Sequence, residues 1–250
     1  MDNNIFYDAI YKRKSIRKFS NSAIDKDTLS EISSFCSQLE PLYKDIKTEF
    51  RLAEQKNVKS IMKSTAPYFI IAFSEIKDGY LTNMGFMLEQ LDLYFSIKGT
   101  GCCWQGALKL AGEDMSPNMQ YVIGLAFGNP AEPLYRENVN QFKRKELSQI
   151  CDVKDGETLL KPVRFAPSAI NSQPWYFTGN TETLHVFCRK PNVITKMALE
   201  KNNQIDIGIA VYYLYLSAKH IGKSLRITTL DSSKIQAPKG YYYIASANLE

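Results

Sequence analysis

The sequence predicts an α+β fold in which one structural unit is written twice. Helical and strand-like periods are interspersed along the whole chain, and four stretches recur in the same order at slowly falling spacing. Two of the helical patterns are also apolar round most of their circumference, which suits helices enclosed within a structure rather than laid on its surface.

Apolar residues at three-and-four spacing predict helices over 4–13, 28–39, 84–98, 158–166 and 204–220. The two apolar helices, centred on 91 and 214, are followed by Gly99 and Gly222, natural C-terminal stops. Strand-like runs are Lys47–Ala53, Tyr68–Ser74, Tyr121–Phe127, Trp175–Thr178, Leu184–Cys188, Leu225–Leu230 and Tyr241–Ala245, several bounded by Gly, Pro or Asn. The composite is central antiparallel or mixed sheets with paired, buried central helices.

The repeats support a pseudo-two-fold duplication. Tyr11–Ser15 resembles Phe142–Glu146 (144 minus 13 gives an offset of 131), and Thr28-Leu29 opens a helix as Thr158-Leu159 does (158 minus 28, 130). Gly85–Gly99 runs parallel to Gly208–Gly222 (208 minus 85, 123), and Tyr121–Ala126 to Tyr242–Ala247 (242 minus 121, 121). Small deletions in the second copy would make the offsets shrink in this way. A basic linker, Pro130–Lys145, marks the seam, giving halves 1–135 and 136–250 that together form one domain.

Composition narrows the function. Against 26 acids stand 31 Lys and Arg, and the net charge of +5 favours anionic ligands without demanding nucleic acid. The Lys-Arg clusters lack interleaved aromatic platforms, so no nucleic-acid partner is expected. Five Cys without a CxxC pair predict free thiols in a reducing compartment, hence the cytoplasm. The N-terminus has no secretory pattern, and the longest nearly apolar run, Ile207–Ala218, falls short of the roughly 20 residues of a membrane span. With two His, no Walker loop and no GxGxxG, neither a metal site, a serine-type triad nor a Rossmann site is expected. A chain short of its own nucleophiles and bases suits chemistry carried by a cofactor.

Three segments remain as candidates. Arg13-Lys14-Ser15-Ile16-Arg17 offers guanidiniums, a hydroxyl and backbone donors, either as a solvated basic turn or as a seat for a phosphate and a polyol. Ala166-Pro167-Ser168-Ala169-Ile170-Asn171-Ser172-Gln173-Pro174-Trp175 leaves a helix and enters a strand; it supplies a flat wall with a few side-chain amides, or a Pro-terminated helix and a loop, with Trp175 in the core. Gly99-Thr100-Gly101-Cys102-Cys103-Trp104 brings backbone close to a ligand, or is a helix cap with buried thiols. Neither Cys has the cationic neighbours of a reactive thiolate.

Together these segments resemble the nitroreductase family, specifically its longer "TM nitroreductase" branch, over nearly the whole chain. The resemblance rests on RKSIR at 13–17, GTGCCW at 99–104, FGNPAEP at 127–133, RKEL at 144–147 and, most diagnostically, APSAINSQPW at 166–175. It implies a nitroreductase-like fold that binds FMN, is reduced by NADH or NADPH, and passes electrons to a small organic acceptor such as a nitroaromatic or quinone. By the family pattern Arg13, Lys14 and Ser15 engage phosphate and ribityl oxygens, Arg17 lies near the pyrimidine edge, and Arg144 and Lys145 complete the phosphate site. Pro167, Ser168, Ala169 and Asn171 line the ring, and the backbone of Gly101 and Cys102 approaches its N5 edge, with no side chain acting as a catalyst.

The departure from the pattern is that APSAINSQPW lies in the second copy, while the first has Phe35-Cys36-Ser37-Gln38-Leu39 at that place and the second has Glu146 where the first has Ser15. These complementary losses imply a fused pseudo-dimer with one FMN, acting as a monomer or as a homodimer. An FMN-binding sensor or carrier is the other reading. The loops expected to cover the ring, roughly 54–66 and 189–203, carry no specificity signal.

Overall fold

A computed structural model describes residues 2–60, 64–111, 116–191, 196–231, 233 and 235–250. In chain order the elements are α1 (Asn3–Ile10), α2 (Lys26–Cys36), β1 (Thr48–Glu54), β2 (Val58–Ser60), β3 (Tyr68–Ser74), α3 (Tyr80–Ile97), β4 (Gly101–Gln105), β5 (Leu108–Leu110) and β6 (Gln120–Gly128). They continue with β7 (Cys151–Val153), α4 (Glu157–Leu160), β8 (Trp175–Gly179), β9 (Thr183–Arg189), α5 (Lys196–His220), β10 (Leu225–Thr228) and β11 (Tyr241–Leu249). The chain divides into two compact units, Lys12–Asn138, and Met1–Tyr11 together with Val139–Glu250.

The first unit is a four-stranded antiparallel sheet in the order β1-β3-β6-β4, with α3 against it and a small β2-β5 pair beside it. Every residue of α3 from Leu81 to Ser96 is buried, as its all-round apolar pattern requires. α2 starts at Asp25, whose carboxylate accepts from the Thr28 N–H and hydroxyl at 2.8 Å each and so satisfies an otherwise unpaired helix-end donor.

The second unit orders its strands β10-β11-β9-β8-β7, antiparallel except for the β7-β8 pair. Its core helix is α5, on which α1 packs, with Tyr7 stacked on His220 at 3.8 Å. The predicted helix at 158–166 is interrupted: α4 ends at Leu160, and Pro162–Phe165 tightens into a 3₁₀ turn because Pro162 has no N–H to continue the α ladder.

Leaving aside β7 and the β2-β5 pair, the two sheets share one plan. The chain order strand, strand, helix, strand, strand is β1, β3, α3, β4, β6 in one and β8, β9, α5, β10, β11 in the other. The spatial orders β1-β3-β6-β4 and β8-β9-β11-β10 match strand for strand. Both helices also end alike. Gly99 (φ +78°) and Gly222 (φ +77°) take the left-handed conformation, and the following N–H reaches back to Phe95 O and to Ala218 O at 2.9 Å, a Schellman closure.

All five helices and seven strands expected from periodicity are present, and β2, β4, β5 and β7 were not foreseen. Three of these have only three residues. The fourth, Gly101–Gln105, is an edge strand paired with β6. Among the described residues no helix is long and apolar enough to cross a membrane.

Candidate functional site

In the first unit, Arg13–Arg17 runs as extended chain beside β4, with the Ile16 N–H bonded to the Cys102 carbonyl at 2.8 Å. Gly101 permits this approach, since a Cβ there would lie 2.8 Å from Ile16 Cγ2. Arg13 is 1% exposed and donates to Asp92 Oδ2 on α3 at 2.7 Å. That carboxylate also accepts from Trp104 Nε1 at 3.0 Å and from the Cys102 thiol. The guanidinium of Arg136 donates to the Arg13 carbonyl, and Arg13 donates to Ser15 Oγ at 3.3 and 3.4 Å. Lys14 pairs with Glu132 at 3.2 Å. Glu132 Oε1 accepts from the Arg17 and Lys18 N–H groups at 2.9 and 3.2 Å, and these bonds, with Lys14, hold its carboxyl below the usual range. The Arg17 side chain is exposed.

In the second unit, a single network gathers residues from 143 to 206. Arg144 donates to Asn171 Oδ1 at 2.7 Å, to Ala166 O at 3.1 Å and to Phe165 O at 3.3 Å. Asn171 Nδ2 donates to Lys143 O at 2.8 Å. Buried Gln173 accepts from the Lys145 N–H at 2.8 Å, and its own N–H donates to Ser168 Oγ at 2.9 Å. Among the described residues Lys145 Nζ reaches only carbonyls, those of Ser172 at 3.1 Å and Gln173 at 2.6 Å. Burial, followed by the charge of Arg189, lowers its ammonium to about 8. From α5, Asp206 accepts from the Ala169 N–H with both oxygens at 3.1 Å and from the Ser172 hydroxyl at 3.4 Å.

The backbone of this loop is unusual. Ile170, Asn171 and Gln173 all have positive φ (+49°, +57° and +45°), and Ile170, a β-branched side chain for which that region is a true outlier, is 84% exposed. Strain of this kind persists only where the surroundings over-determine it, and it concentrates at ligand-binding segments.

The family model described as "Putative TM nitroreductase" matches residues 5–218. The chain belongs to that family. Among solved structures it is similar to a "putative nitroreductase" of Thermotoga maritima, at 21% identity and TM-score 0.63, covering 96% of this chain and 93% of that one, which shows a common fold over the whole length. Shorter matches include a nitroreductase family protein from Clostridium novyi (23% identity, TM-score 0.41, 53% of this chain and 87% of that one). Another is an FMN-dependent nitroreductase from Clostridium difficile (16% identity, TM-score 0.42, 52% and 91%). A comparison with curated proteins found no match.

Within this nitroreductase-family chain the expected residues fall into two classes. Arg144, Lys145, Ser168, Ala169 and Asn171 share the second-unit network, with Pro167 buried beside them. Neither Lys145 nor Arg189 has a carboxylate partner among the described residues, so two neighbouring cations fit a phosphate-bearing ligand. In the first unit only Lys14, Ser15 and Arg17 retain exposure; the Arg13 guanidinium is committed to Asp92 and does not fit the role of phosphate clamp. The Cys102 carbonyl is likewise taken by Ile16, and burial raises both the Cys102 and Cys103 thiols, which keeps them protonated.

Asp206, Gln173, Asp92 and Glu132 were not among the expected site residues. Asp92 and Asp206 carried a signal in Leu91-Asp92-Leu93 and Ile205-Asp206-Ile207, acids set inside apolar helices. His185 bonds Ser246 Oγ at 2.8 Å and His220 stacks on Tyr7, so both are engaged structurally. Of the loops expected to cover the ring, residues 61–63 and 192–195 lie outside the described residues.

Proposed function

We propose that this chain is a cytoplasmic FMN-dependent oxidoreductase that takes hydride from NADH or NADPH and delivers electrons to a small organic acceptor. Family membership supports the class, and one structural observation carries the reading: the cations Lys145 and Arg189, neither with a carboxylate partner among the described residues, beside a strained loop of small and amide side chains. FMN, when bound, supplies the electron-carrying chemistry at its ring, and the protein supplies position and electrostatics.

In this reading Lys145 and Arg144 hold the phosphate. The Pro167–Asn171 segment offers the flat wall for the ring, with Asn171 held by Arg144 and Ser168 held by the Gln173 N–H. From the first unit, Lys14, Ser15 and Arg17 are the proposed donors. The common strand order of the two sheets supports the duplication, and the complementary losses in the two copies support a stoichiometry of one FMN per chain.

The visible spectrum of the purified protein tests the cofactor. Flavin bands corresponding to about one FMN per chain are expected, and a protein that neither carries nor takes up FMN would remove the proposal. Rapid mixing with NADH or NADPH then separates enzyme from carrier, since an enzyme bleaches the flavin at once and a carrier leaves it oxidised for minutes. A screen of nitroaromatics, quinones and enones identifies the acceptor class, and the mass in solution distinguishes a monomer from a homodimer.

A further inference from the structure

The carboxylate of Asp206 does something that an uncharged side chain does in the other unit. The offset of the two central helices, 123, places Asp206 at the position of Asn83 on α3 (206 minus 83). Asn83 Oδ1 accepts the Tyr43 N–H at 2.9 Å, and Tyr43 lies in the segment that leads into β1, as Ala169 lies in the segment that leads into β8. In both units, therefore, the central helix catches one backbone N–H of the approach to the first sheet strand. A neutral amide is enough to make that bond.

An aspartate at the same place is costly. It is 3% exposed, and burial drives its carboxyl well above the ordinary range despite the bonds it accepts. What differs is the segment being held. Between α2 and β1 no non-glycine residue has positive φ, whereas Ser168–Gln173 contains three. The side chain with two acceptor oxygens faces the strained loop and takes two donors from it, Ala169 N–H and Ser172 O–H.

We propose that Asp206 is the positioning residue of the ligand-facing loop: its carboxylate pins Ala169 and Ser172 so that the intervening Ile170 and Asn171 stay in the left-handed conformation and Ser168, Ala169 and Asn171 are presented together. Its meaning for the cofactor rests on the FMN reading above. The pinning itself does not.

The experiment compares the wild type with D206A and D206N, each examined with and without added FMN. In the protein stripped of flavin, amide hydrogen exchange over 166–174 should rise about tenfold or more in D206A, with β8, β9 and α5 unchanged, and D206N should stay within about threefold of wild type, as an amide suffices at position 83. FMN titration followed by flavin fluorescence should show a dissociation constant raised about tenfold or more in D206A, together with an altered visible circular dichroism of the bound flavin, and D206N should restore both. Unchanged loop exchange in D206A would overturn the proposal. So would a uniform rise over the whole second unit, or loss of fold in D206N, because either makes the aspartate a general core residue. If the wild type takes up no FMN, the proposed function fails while the exchange measurement still decides the role of Asp206.

Discussion

The two units treat buried charge in opposite ways. In the first, Asp92 on α3 meets the guanidinium of Arg13 at 2.7 Å, and Lys14 meets Glu132 at 3.2 Å. In the second, Asp206 is met by an N–H and a hydroxyl, and Lys145 by two carbonyls. Asp92 of the one is neutralised by an opposite charge, while Asp206 and Lys145 of the other are met by dipoles, although Arg164 and Glu146 pair there at 3.1 Å. In the proposed reading Lys145, solvated by dipoles, keeps its field available to a ligand phosphate.

The largest test of this contrast is Asp92→Ala. Removing one partner of a buried pair strands the other, and the expected loss is about 3–5 kcal/mol. Urea unfolding would measure it; a loss under about 1 kcal/mol would mean that the pair is not structural and that the two units do not differ as described.

Lys145→Gln should cost little stability and weaken FMN binding about tenfold, roughly 1.4 kcal/mol, at pH 7. Because the folded ammonium titrates at about 8, FMN affinity in the wild type should fall as pH rises through that value, and the variant should lack this fall. The sign for stability is the reverse. Between about 8 and the unfolded value of 10.5 the unfolded chain holds the proton that the folded chain has lost, so the wild type gains stability as pH rises across that window.

Asn83→Ala removes the acceptor of the Tyr43 N–H and should cost about 1–2 kcal/mol without changing ligand affinity. A clear effect on FMN binding would break the assignment of roles between the units. Asp206→Asn is the smallest and most telling. A carboxyl raised by folding is protonated more readily in the folded than in the unfolded chain, so wild-type stability declines as pH rises above the usual carboxylate range. The amide removes that slope, and D206N should match or slightly exceed the wild type at pH 8 in urea unfolding. A D206N protein markedly less stable at pH 8 would show that the negative charge itself is compensated in the fold.

The sequence made the repeated plan legible because it is written in local signals. Central helices, their glycine stops and the long strands all follow from periodicity within a dozen residues. APSAINSQPW pointed to the strained loop because its small residues, prolines and amides are consecutive, although Arg144 and Asp206, which hold it, lie 27 and 37 residues away. What stayed hidden depends on distant partners. Arg13 reads as an exposed cation until Asp92, 79 residues away, is seen beside it. β4 has no alternating pattern to announce it, since Gly101-Cys102-Cys103-Trp104 is shaped by pairing with β6 and by Ile16 on its other side. Asp206 could be suspected from its apolar neighbours, but the loop it holds could not.

The passage of α1 into the unit formed by residues 139–250 has a consequence for synthesis. The first unit is one continuous stretch and has all its strands once residue 128 has been made. The second is closed by a helix from the start of the chain, which must wait for α5 to emerge before Tyr7 can find His220. On the ribosome, therefore, the unit whose charges are already paired can fold first. The one that carries the strained loop can be completed only when the chain returns to where it began.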